Sequence, residues 1–305
     1  MSEKATPYVV SADLSGLMKR WGKTKGLDLP DDNFFLESAE KLKDELSVIF
    51  GGVTVIPEHQ LKSGLEKMAR TALHPVLSLD RAYLDGSDGL VAGHLDVTRA
   101  VDPEFNDLGL YPRPGCQTIN EQVAGLRSPE KSEICLADDV IFGGGGIVEL
   151  VRKLAEVNRP VSRVFTGIGI KEEVEKVRSE GVPVDCVIEY DEVIDEVCQR
   201  DFWGGTPLSG RTVISDKGET WSAPYFRPFG FPEKWASIPP ENVEAFSAFC
   251  FLKTVELWRE VEKVNGASLP VNEIPRSLRG VEEKNSIVDA LMDFMVTSRN
   301  IIINR

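Results

Sequence analysis

The sequence predicts an α/β chain built on a parallel sheet with flanking helices, extended by helical segments at both ends. Three observations predict it. Short β-rich runs alternate with amphipathic helical patterns between residues 133 and 190, the order that a parallel sheet with crossover helices requires. One of these runs, Ile134-Cys135-Leu136-Ala137, is apolar throughout, as a strand covered on both faces should be, and its carboxyl end is expected to carry Asp138 and Asp139. Behind Val140-Ile141-Phe142 come four glycines, Gly143, Gly144, Gly145 and Gly146, which open a helix with an apolar stripe.

Taken in order, residues 1–30 carry Gly16, Gly22 and Gly26 and break at Leu29-Pro30-Asp31-Asp32, which reads as an arm or short helices. From Asp32 or Asn33 as cap, Phe35, Ala39, Leu42, Leu46 and Phe50 recur at helical spacing until Gly51-Gly52 closes the helix. Residues 58–73 form a second expected helix, with Pro57 suited to its first turn and Leu61, Leu65, Met68 and Ala69 along one side. His74-Pro75 breaks it, and residues 76–79 read as the first core strand, delivering Asp80 and Arg81. Residues 93–99 are the expected second strand. The segment 102–125, rich in Pro, Gly and Asn, reads as a long loop of the kind that often serves as a lid.

After the glycines, Ile147, Leu150, Val151, Leu154 and Val157 make a helical stripe that Asn158-Arg159-Pro160 ends. The order then repeats: a strand over 161–167, a helix over 171–180 with Val174 and Val177 inward, a turn over 181–183, and a strand over 184–189. Such a sheet is Rossmann-like in plan, and ligands bind at the carboxyl edge of its strands, where Asp138 and Asp139 are expected. Beyond residue 197 the composition shifts toward Gly, Pro and aromatics: Phe202, Trp203, Trp221, Tyr225, Phe226, Phe229, Phe231 and Trp235. Two helices close the chain, one marked by Val243, Phe246, Cys250, Leu257 and Val261, the other by Ile287, Val288, Leu291 and Met295. Their expected job is packing or a homodimer interface. The resulting division is 1–60 as a helical extension, 61–200 as the α/β core, and 201–305 as an aromatic-rich segment with C-terminal helices.

Composition bounds the function. The 305 residues are 42% hydrophobic and 28% charged, ordinary for a globular protein, and the net charge of −14 argues against non-specific nucleic-acid binding. A local site for a phosphorylated small molecule remains compatible with that charge. No apolar run approaches the roughly eighteen residues of a membrane span and the start, MSEKATPYVV, lacks a leader's apolar centre, so a cytoplasmic location without membrane partners is the expectation. Cys116, Cys135, Cys186, Cys198 and Cys250 form no C-x-x-C pair, and with only His59, His74 and His94 beside them no dedicated transition-metal site is expected. The glycine run fits neither G-x-G-x-x-G, whose third glycine would fall on Val148 or Glu149, nor a P-loop, which needs Gly-Lys-Ser or Gly-Lys-Thr. G-x-S-x-G is absent too, so acyl transfer has no support.

Apolar residues, two acids, then small residues opening a helix: residues 133–148 resemble the phosphoribosyl-pyrophosphate (PRPP) motif of the type I phosphoribosyltransferases. The resemblance implies that Asp138 and Asp139 hold the ribose 2′- and 3′-hydroxyls and that Gly143, Gly144, Gly145 and Gly146 wrap the 5′-phosphate. It places the pyrophosphate loop at Asp80-Arg81-Ala82-Tyr83 and a catalytic lid at 102–125, making Arg81, Arg99 and Arg113 candidates to meet pyrophosphate. It also implies Mg²⁺, held mainly by ligand oxygens with no metal-ligating residue assigned, and an aromatic hood over an acceptor nucleophile. The family's loops carry Thr or Ser where this one has only glycine. Three functions follow as expectations: a phosphoribosyltransferase of the glycosyltransferase class, a non-catalytic PRPP- or nucleotide-binding regulator on the same fold, or an unrelated doubly wound binding domain.

Overall fold

The computed structural model describes residues 6–126 and 131–303; residues 1–5, part of the expected N-terminal arm and of the reading that the start carries no leader, lie outside them. The first elements are β1 (Tyr8–Ala12), α1 (Leu14–Lys25), α2 (Asp32–Phe50), β2 (Val53–Pro57) and α3 (Glu58–Arg70). Next come β3 (Val76–Ser78), β4 (Gly93–His94), β5 (Val97–Val101), β6 (Asp107–Pro112) and α4 (Ile119–Gly125). The middle holds β7 (Ile134–Ile141), α5 (Gly145–Glu156), β8 (Val161–Ile170), α6 (Lys171–Arg178), β9 (Val184–Tyr190) and β10 (Asp195–Cys198). Last are β11 (Arg211–Ile214), β12 (Thr220–Ala223), α7 (Pro232–Trp235), α8 (Val243–Asn265) and α9 (Ile287–Ile303).

The chain divides into two units, one formed by Ile56–Ala100 and Asp107–Glu196, the other by Tyr8–Val55, Val101–Asn106 and the chain from Val197 onward. The first contains a five-stranded sheet in the order β4-β3-β7-β8-β9, with every neighbouring pair parallel. Counted along the chain, that order is 2-1-3-4-5. Its direction of winding reverses between β3 and β7, and a crevice opens at the carboxyl ends of strands where such a reversal occurs.

Helices cover both faces of this sheet. Cys186 and Val187 are consecutive in β9 and therefore face opposite ways. A Cβ on Gly64 of α3 would lie 2.5 Å from a Val187 methyl, whereas one on Gly169 would lie 2.5 Å from Cys186 Sγ and 2.7 Å from Val174 of α6. So α3 and α6 sit on opposite sides, and the glycines permit the close approach. The stripe Ile147, Leu150, Val151 and Leu154 buries α5 in the same cluster as Leu77, Leu136, Val164 and Val174.

Several sequence expectations are corrected here. The expected loop 102–125 contains β6 and α4, the latter held by a capping box in which Thr118 accepts from the Glu121 N–H and Glu121 accepts from Thr118. The expected second strand over 93–99 splits into β4 and β5. Residues 1–30 include a strand, β1, whose Tyr-Val-Val run is buried. Asp31, not Asp32 or Asn33, caps α2, accepting from Phe34 N–H at 3.0 Å, and Gly51 at φ 74° ends it. Among the described residues no helix is long and apolar enough to cross a membrane.

In the second unit the N-terminal helices and the C-terminal segment share one core around α8, including Leu42, Leu46, Phe202, Trp203, Phe226, Phe246 and Trp258. The expected aromatic hood is largely this core: Phe202, Trp203, Tyr225, Phe226, Phe229 and Trp235 are buried. Apolar area decides their placement, since burying each large ring stabilises by about 2–3 kcal/mol. β11 and β12 pair antiparallel, Arg211 opposite Ala223.

One buried charge in this unit gives a pH prediction. Asp13 is 1% exposed, and its carboxylate accepts from the Arg200 backbone N–H at 3.1 Å and from the Arg200 guanidinium. Burial pushes its pKa up to about 6 in spite of Arg200. A raised carboxyl pKa contributes stability that is complete below the unfolded value near 4 and is lost as pH rises through about 6. Urea unfolding at about pH 4 and about pH 7 should show wild type losing up to roughly 3 kcal/mol relative to Asp13→Asn. Parallel pH profiles for the two proteins would contradict this assignment.

Candidate functional site

At the β3/β7 reversal the chain gathers carboxylates. Asp80 lies two residues beyond the end of β3 and is 3% exposed. Its Oδ1 accepts from the Ala82 N–H at 2.5 Å and its Oδ2 from the Tyr83 and Leu84 N–H groups, both at 2.7 Å. The turn expected to embrace pyrophosphate is thus wound around its own carboxylate. Burial raises the Asp80 pKa, the Asp139 charge adds to the rise, and the three N–H donors oppose it.

Asp138 and Asp139 are the fifth and sixth residues of the eight-residue β7, so they lie inside the strand and not at its end. Pairing with β8 continues beyond them, Val140 opposite Ile168 and Ile141 opposite Gly169. The two acids are adjacent in β7, and their carboxyls lie close enough to hydrogen-bond each other. Asp138 Oδ1 accepts from the Asp139 N–H at 3.0 Å. Burial raises the Asp138 pKa well above the usual carboxylate range, helped by the charges of Asp139 and then Asp80. The three acids therefore interact, and their mutual repulsion raises the cost of ionising all of them together. Gly167 is obligatory beside them, because a Cβ there would lie 2.6 Å from the Asp139 carbonyl oxygen.

The glycine run divides by role. Gly145 and Gly146 already belong to the first turn of α5, and Gly144, its cap residue, has φ −60°. Small size, not left-handed backbone, is what the position of Gly144 demands: a Cβ would meet the Glu173 carbonyl oxygen at 2.6 Å. On Gly146 a Cβ would meet Leu110 of β6 at 3.0 Å, while Gly143 and Gly145 face open space. The Gly144 N–H donates to Glu173 Oε2 at 2.8 Å, and Glu173 Oε1 accepts from Lys176. Burial acts to raise the Glu173 pKa, but Lys176 and the Gly144 N–H outweigh it and hold the carboxyl below its usual range.

Of the candidate arginines, two converge. Arg81 donates to Asp96 Oδ1 through Nε at 3.0 Å and Nη2 at 2.6 Å. The Arg113 N–H donates to the Asp96 carbonyl at 2.9 Å, and both guanidinium charges reach Cys116, whose pKa burial and Asp96 raise. Gln122 of α4 clamps the same segment, accepting from the Asp96 N–H at 2.7 Å. Arg99 stands apart on β5, exposed. The expected lid is hence fastened to the end of the sheet through Asp96 and Gln122. Sequence reading missed Asp96, Gln122 and Glu173. Thr118-x-x-Glu121 was a readable capping signal for α4, and the Glu172-Glu173 pair was a readable first-turn signal for α6, but the reach of Glu173 to Gly144 is tertiary.

Among the described residues no group of three or more His, Cys, Asp or Glu side chains is arranged to hold a metal.

No family profile and no curated relative matches this chain. Solved structures that align with part of it include Leishmania donovani UMP synthase, with 12% identity over 43% of this chain and 27% of that one at a TM-score of 0.29. Orotate phosphoribosyltransferase from Aeropyrum pernix aligns with 16% identity over 42% and 68% of the two chains, TM-score 0.27. The Giardia lamblia APRTase complexed with 9-deazaadenine aligns with 14% identity over 43% and 78%, TM-score 0.31.

Proposed function

We propose that the chain binds PRPP at the β3/β7 reversal and transfers its ribose 5-phosphate to an acceptor nucleophile with release of pyrophosphate. The observation that carries this reading is the placement of Asp138-Asp139 and a glycine turn at the reversal point of a parallel sheet, where ligands of doubly wound folds bind. In this reading Asp138 and Asp139 anchor the ribose hydroxyls and face the positive charge that grows at C1′ as the bond to pyrophosphate breaks. Gly143 and Gly145, open to space, leave room for the 5′-phosphate beside the α5 N-terminus. Arg81 and Arg113, gathered by Asp96, would face the pyrophosphate. Mg²⁺, where bound, would neutralise pyrophosphate while keeping ligand and water oxygens. Nothing in this scheme needs a protein nucleophile, so alignment and electrostatics are the chain's contribution.

A second reading, a non-catalytic PRPP- or nucleotide-binding regulator, draws support from two particulars. The turn 142–146 has no Ser or Thr hydroxyl, and the N–H groups of Ala82, Tyr83 and Leu84 are already taken by Asp80. Pyrophosphate release separates the two. Incubation with PRPP, Mg²⁺ and a panel of purines, pyrimidines and amines should yield pyrophosphate with at least one acceptor; tight PRPP binding without release across the panel would favour the regulator.

A further inference from the structure

The cradle expected to take a phosphate is held by the chain's own carboxylate. The first N–H groups of an α-helix have no acceptor inside the helix and attract anions. At α5 the Gly144 N–H has one in Glu173 Oε2 at 2.8 Å, and Glu173 comes from the next helix of the sheet, α6. The contact is built into the packing: the Glu173 carbonyl lies so close to Gly144 that no Cβ fits between them. It also contrasts with the second anion cradle of this unit. Asp80 is sealed in by three N–H donors and is 3% exposed, whereas the Glu173 side chain is 19% exposed and uses a single N–H. Lys176 sits on the other carboxylate oxygen of Glu173 and lies 3.7 Å from Glu172 Oε1 as well, so a cation stays at this corner whichever acid it pairs with.

Resting on the PRPP reading above, we propose that Glu173 is a resident competitor for the phosphate cradle: a ligand phosphate gains the Gly144 N–H only by expelling the Glu173 carboxylate toward Lys176 and solvent. Affinity for the phosphoryl end is thereby held down, and binding is coupled to movement of a side chain on α6. Two like charges cannot share one donor at the helix start, which is why the outcome is exchange and not joint occupancy.

The test compares wild type, Glu173→Gln and Glu173→Ala, the last removing the acceptor altogether. Dissociation constants for PRPP are measured by calorimetry, and the Gly144 amide resonance is followed by NMR. The expected result is binding tightened by about tenfold in both variants, the scale of losing one charge-assisted hydrogen bond to a competitor. In wild type the Gly144 resonance should move on PRPP addition toward its position in ligand-bound Glu173→Ala. Equal affinities, or weaker binding in the variants, would overturn the competitor role while leaving PRPP binding in place. Absence of PRPP binding in all three proteins would overturn both.

Discussion

Replacing Trp258 by Ala should destabilise the protein by about 3–5 kcal/mol, the range for removing a fully buried large aromatic. Trp258 is 0% exposed in the middle of α8. Its indole meets Trp21 of α1 edge-on, with centroids 5.7 Å apart and planes at 89°, and its Nε1–H donates to the Gly204 carbonyl at 2.9 Å. The Gly204 N–H in turn donates to Thr254 Oγ1 at 2.9 Å, one helical turn away on α8. Truncation thus opens a cavity and also orphans a buried carbonyl at the Gly204-Gly205 turn, where Gly205 has φ 79°. Trp258→Phe, which keeps most of the apolar area but not the donor, should cost roughly 1–3 kcal/mol. Equilibrium urea unfolding followed by circular dichroism reads both. A loss below about 1 kcal/mol for Trp258→Ala would mean that α8 does not carry this core.

That core shows where the sequence was readable. α2 and α5 bury one stripe each, so the spacing of Phe35, Leu42 and Leu46, or of Ile147, Leu150 and Leu154, announces them. β7 announces itself through an apolar run covered on both faces. By contrast β1 is a short strand beside glycine-bearing segments, and β6 lies within a stretch whose Pro and Gly content suggests loop. β1 is fixed by pairing with β2 and β10, chain distant in sequence, and β6 by pairing with the adjacent β5, neither of which local propensity encodes.

The candidate site divides the same way. Residue types legible as chemistry, Asp138, Asp139 and the glycines, do fall at the reversal of the sheet. Their surroundings were not legible, because they depend on which side chains from other elements arrive: Asp139 charging Asp80 and Asp138, Glu173 reaching Gly144, Asp96 gathering Arg81 and Arg113. Strand length mattered too. Continuation of β7 to Ile141 places a pair of acids expected at a strand end within the strand.

The central claim concerns those two acids, and it is accessible to a direct measurement. PRPP is titrated calorimetrically, with and without Mg²⁺, into wild type and into the Asp138→Asn/Asp139→Asn variant. Burial and the neighbouring charges of Asp139 and Asp80 raise the Asp138 pKa, so amide replacement relieves crowding among the acids, and a thermal midpoint no lower than wild type certifies the variant. The account predicts Mg²⁺-dependent binding near micromolar for wild type, about 8 kcal/mol of binding free energy, and a loss of at least roughly a hundredfold in the variant. Absence of heat with wild type, or equal affinity in the folded variant, would contradict it.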